Sequence, residues 1–211
     1  MVLQHVWGLF SEPRRAWREI RDQRCTISKC YCSHVLILAA LPAIAGFIGT
    51  TQVGWRIGAR EVHKLTLESG LAIALLTYFT LLVAVLSIGW MIHWMGQTYG
   101  AKRPLPQCVA LAAYTATPLF LVGLLWIYPV LWFDMLVALP ALAYTVYLLY
   151  TGVPIMMEIP EERGFLFASA VLAVGLVALV AVLAITAILW GSGFGPVFTS
   201  HWQWLTPVRL S

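Results

Sequence analysis

From Phe165 to Trp190 the chain runs 26 residues without a charged side chain. A helix needs about 20 mostly apolar residues to cross the hydrocarbon of a bilayer. No helix of a small soluble domain has to be uncharged on every face over that length. The rest of the sequence agrees: 61% of residues are hydrophobic and 10% are charged, against about 45–50% and about 25% in an ordinary soluble domain. Disorder is excluded, because low hydrophobicity and high charge are its marks. A disulfide scaffold is excluded by four cysteines in 211 residues. A membrane barrel would show alternating segments of about 10 residues, and the apolar runs here are unbroken. Lipid gives the backbone no hydrogen-bond partner, so such runs must be helical.

Five spans are expected, at about 35–55, 70–94, 108–128, 131–150 and 165–190. Pro42 interrupts the first and Pro118 the third, while Tyr128 and Pro129 read as a tight hairpin between the third and fourth. Trp55, Trp90, Trp94, Trp126, Trp132 and Trp190 fall at span edges, where indole prefers the headgroup level. Residues 1–34 form a separate arm, 35–190 the membrane domain and 191–211 an aromatic tail. The fold class is thus an all-α integral membrane protein, a five-helix transmembrane bundle with an N-terminal interfacial amphipathic helix.

An odd number of spans puts the termini on opposite sides. Nine of the 13 Lys and Arg residues fall on the side of the arm, the Lys102–Arg103 loop and the Glu158–Arg163 loop. Basic residues stay inside, so the N-terminus is expected in the cytoplasm and the C-terminus outside. Residues 1–20 lack the pattern of a cleavable signal, so the first span is expected to direct insertion. The loop from Arg56 to Ser69 reads as a solvated turn of helix.

Within the arm, Ala16, Trp17 and Ile20 make a narrow apolar face, and Arg14, Arg15, Arg18, Arg21 and Arg24 cover the rest. Pro13 is tolerated in a first turn. Such a helix is expected to lie on an anionic membrane surface, with Arg14, Arg15, Trp17, Arg18 and Arg21 as the contact to lipid headgroups. Nucleic acid is a poor partner for this patch, because Glu12, Glu19 and Asp22 interrupt it.

Chemistry-bearing residues are sparse. Cys25, Cys30, Cys32 and His34 form a C-x4-C-x-C-x-H run, but paired zinc cysteines usually sit two to four residues apart. Free thiols on a reducing side are the expectation, and no cofactor is implied. No ionisable group lies near mid-bilayer, and no catalytic motif is present. A non-enzymatic scaffold or partner-binding membrane protein fits best. Small residues, Ala39/Ala43 and Ala45/Gly49 in the first span and Ala168 through Ala184 in the fifth, suit close packing within the bundle, against a membrane-protein partner or in a homo-oligomer.

Two stretches carry a resemblance. One is Tyr99–Gly100, then Gln107, then Ala113-Tyr114-Thr115-Ala116-Thr117-Pro118. The other is Tyr144-x-x-Tyr147-Leu148-Leu149-Tyr150-x-Gly152-x-Pro154, followed by Met157 and Pro160. With the Phe10–Ile20 opening, they make the chain resemble the Yip-one family (Ypt-interacting proteins) in its bacterial inner-membrane branch, over about residues 8 to 190. The resemblance implies five spans, a cytoplasmic N-terminus and an inner membrane location, without an assigned activity. Eukaryotic relatives bind Rab GTPases, a partner that does not carry over to a bacterium. Glu161–Glu162 stand where a more basic loop is expected.

Pro118 removes an amide inside the third span, and nearby hydroxyls can satisfy the backbone there. Tyr114, Thr117, Tyr144 and Tyr147, beside Pro118, are therefore expected to form one polar seam between the third and fourth spans. Such a seam is either hydrogen-bonded packing or a cleft for a small transporter or lipid-handling protein.

Overall fold

The structure is a computed structural model that describes residues 2–23, 34–56, 62–193 and 195. Cys25, Cys30, Cys32, Arg24, Arg60 and nearly all of the C-terminal tail lie outside the described residues. Two short helices open the chain, α1 (Val2–Ser11) and α2 (Pro13–Asp22). Five helical segments long and apolar enough to cross a membrane follow: Leu36–Val53, Leu67–Gly96, Leu105–Ile127, Leu131–Met157 and Glu161–Gly191. They are spans one to five.

The ends follow local chemistry. Thr66 caps span two by accepting from the Ser69 amide, with Glu68 in the first turn, where a carboxylate favours the helix dipole. Glu161 and Glu162 do the same for span five. That is a local reason for acidic residues in the loop expected to be basic. Spans two, four and five outrun their expected limits. Span four passes Tyr150 and Pro154 to Met157, because Gly152, Val153, Met156 and Met157 are buried against neighbours. Packing supports two turns that lipid alone would not require.

Span three is the axis of the bundle. Over an 18-residue apolar stretch it is 67% buried, against 6% over such a stretch in each of spans two and five. It splits at Ala116: one helix covers Leu105–Thr115, another Thr117–Val122, and a 3₁₀ segment runs through Gly123–Ile127. Pro118 falls in the first turn of the second piece, where its missing amide costs no helical bond. Close approach is made by glycines. A Cβ on Gly89 would stand 2.7 Å from the Val109 Cα of span three, and one on Gly123 2.4 Å from the Pro42 side chain of span one. Small residues bring helix backbones together in this way in lipid.

At one end, Arg56 joins the span three–four hairpin: its amide donates to the Pro129 carbonyl (3.1 Å) and its carbonyl accepts from the Leu131 amide (3.2 Å). Trp55 and His63 exchange backbone hydrogen bonds as an antiparallel bridge. The described residues on either side, Trp55–Arg56 and 62–66, are thus extended or bridged backbone, while the Arg60–Glu61 part of the expected helical turn lies outside the described residues.

Candidate functional site

The arm is docked, not floating. Trp17 is fully buried, as is Leu9, and Ala16 and Ile20 are nearly so. A Cβ on Gly152 of span four would meet the Trp17 ring at 2.7 and 2.8 Å, so Trp17 fills the notch that this glycine leaves. Trp17 is therefore not a membrane-surface residue. The apolar face of α2 is spent on span four, because a protein groove takes the indole ring out of water with closer contact than fluid lipid gives. Arg14, Arg15 and Arg18 remain exposed. Glu19 and Glu12, by hydrogen bonding to Arg15, raise its already high pKa further.

Arg21 leaves the proposed lipid-facing set as well. It turns toward Glu158 (3.7 Å) and pairs with Asp22 (2.9 Å). Glu158 also pairs with Arg103, and the Arg103 Nε donates to the Met157 carbonyl at 3.4 Å. Glu158 thus gathers the arm, the loop between spans two and three, and the end of span four. It sits in the left-handed region (φ 51°) as the cap of span four. His93 Nδ1 donates to the Arg103 carbonyl at 2.9 Å, and Arg14 reaches Glu161 at 3.8 Å. In the sequence Arg103 and Glu158 stand in two separate loops. The signal for joining them, an acidic residue ending one span opposite a Lys-Arg-Pro turn, carries no distance information.

The polar residues of spans three and four do not make one seam. Thr117 bonds the His34 Nε2 at 3.0 Å, and both residues are fully buried. Tyr114 lies beside the same imidazole, ring centroids 4.2 Å apart. These two belong to a junction of spans one and three. Tyr144 turns instead to the arm: its hydroxyl donates to the Leu9 carbonyl at 2.7 Å and its ring stacks on Phe10 at 5.2 Å. Tyr147 adjoins Tyr144 (5.7 Å) but is exposed. The 3.6-residue repeat sets only the face each tyrosine takes on its own helix, and beyond the break at Ala116 Thr117 meets His34 before span one. Of the Cys/His run, only His34 is described, and its Nε2 is given to Thr117.

Comparison with known proteins agrees with this architecture. The Yip1 domain model matches residues 7–182. Inner membrane protein YohC of Escherichia coli, in strain K12 and in the O6:H1 strain CFT073, is 46% identical over 192 residues, covering 91% of this chain and 98% of the relative. No solved structure matches. With five membrane-length helices, a docked N-terminal arm and matches of that extent, the chain belongs to the Yip1 domain family.

Proposed function

We propose that the chain is a non-enzymatic scaffold of the bacterial inner membrane, holding partner helices against spans two and five. The observation that carries this reading is the distribution of burial: over an 18-residue apolar stretch, span three is 67% buried, whereas such stretches of spans two and five are each 6% buried. Leu176, Val180, Leu183 and Ile188 along span five are all more than half exposed. That apolar surface is free for lipid or for another membrane helix, where association rests on packing and not on hydrophobic transfer. The buried polar groups His34 and Thr117 are engaged with each other at the junction of spans one and three.

Orientation follows the charge bias. Arg14, Arg15, Arg18, Lys102, Arg103 and Arg163 gather at the end where the arm docks, which is read as cytoplasmic. There the exposed arginines of α2 face anionic headgroups. The relatives' name, inner membrane protein, supports the location. Photocrosslinking in native membranes tests the scaffold role, with a photoreactive residue at Leu179 in span five. A single defined protein adduct, or a dimer of this chain, is expected; adducts to lipid alone overturn it.

A further inference from the structure

We infer that span two, at the end where the arm docks, holds one anionic glycerophospholipid in a two-part cradle. Two shallow, open concavities lie along this helix and the loop that follows it. The one deeper in the bilayer, about 430 Å³, is lined by Leu86, Ser87, Trp90 and Met91. The one nearer the helix end, about 510 Å³, is lined by His93, Gln97 and the loop from Ala101 to Pro104. Leu86, Trp90, His93 and Gln97 recur at spacings of four, three and four, which is one helix face. At 1.5 Å per residue they span about 16 Å. Along that line the lining changes from apolar to basic, as a phospholipid changes from acyl chain to phosphate.

The level is right for a headgroup. Trp90 and Trp94 are 57% and 61% exposed, and exposed indoles mark the interface. The basic part is assembled by the fold. His93 spends its Nδ1 proton on the Arg103 carbonyl, so the ring is held with Nε2 as its remaining polar atom. Arg103 is neutralised by Glu158. Lys102 is exposed and has no ion-pair partner among the described residues. Across the loop, the Arg163 guanidinium would stand 3.5 Å from a Cβ on Gly100. The uncompensated charge at the mouth is therefore positive, and basic pockets at this depth select anionic headgroups. The inference does not depend on the scaffold reading: the cradle requires no protein partner.

The test uses the full chain in detergent, titrated separately with phosphatidylglycerol and phosphatidylcholine, with bound lipids counted by native mass spectrometry. One phosphatidylglycerol is expected to be retained in preference to phosphatidylcholine. Lys102→Ala should weaken that retention about fivefold, with the melting temperature unchanged because Lys102 is exposed. Ser87→Trp, which fills the acyl groove, should also weaken it. Equal retention of both lipids overturns the proposal. So does an unchanged affinity in Lys102→Ala, or loss of the lipid only when Arg14, Arg15 and Arg18 are together replaced by Ala, which would move the site to the arm. Inorganic phosphate separates headgroup from free anion: if it binds as tightly as the lipid, and equally to Ser87→Trp protein, the lipid assignment fails.

Discussion

Trp17 and Gly152 are complementary in size, and each explains the other. Gly152→Val would drive a branched side chain into a rigid, fully buried indole. Overpacking of this kind costs about 1–3 kcal/mol. The expected result is a lower melting temperature in detergent and faster proteolysis within residues 1–23, whereas Gly175→Val, with nothing within 4 Å of its added Cβ, leaves both unchanged. Thr117→Val should cost about 0.6–2 kcal/mol, the range for a hydrogen bond between membrane helices, through loss of the bond to His34. Thr186→Val is the control, since that hydroxyl donates only to the Val182 carbonyl of its own helix. A melting curve showing equal losses for both variants would remove the His34–Thr117 contact from the account. At this scale the sequence marked the right residue types in span three. It could not supply the partner, which lies 83 positions away.

Among the elements, the arm and the broken third span depart most from a simple bundle. The apolar stripe of α2 was legible from Ala16, Trp17 and Ile20, but a stripe of that width serves a lipid surface or a protein groove equally well. What selects the groove is the notch at Gly152. Spans two and three meet backbone to backbone at Gly89 and Val109, so Gly89→Val should separate them. Its cost is expected to exceed that of Gly152→Val, because a helix backbone yields less readily than a side chain. Comparative melting of the two variants checks the order. The Glu158 pairs are half-exposed (Arg103 24%, Glu158 49%), so Glu158→Gln should change stability by about 1 kcal/mol or less. Its effect is expected in hydrogen exchange of α2 instead, since Arg21 loses its anchor on span four. Unchanged exchange there would show that the Trp17 and Tyr144 contacts hold the arm without the Arg21–Glu158 pair.

For the whole molecule, burial divides the spans into one core helix and four that share their surface with the membrane. Leu111, fully buried in span three, should cost about 2–5 kcal/mol when replaced by Ala. Leu183→Ala in span five, where the side chain is 60% exposed, should cost little in detergent. Similar losses at the two positions would mean that span five is packed after all. The number of spans, the position of Pro118, the hairpin at Tyr128–Pro129 and the amphipathic arm were determined by sequence alone. Each follows from a local rule: apolar length against bilayer thickness, a missing amide, a helical repeat. Only the tertiary structure decided that Trp17 faces span four, that Tyr114 and Thr117 join His34 while Tyr144 joins the arm, and that Glu158 gathers three segments. Those outcomes depend on distances between helices, which are set by where glycines let backbones close, and no periodicity along a single chain encodes them.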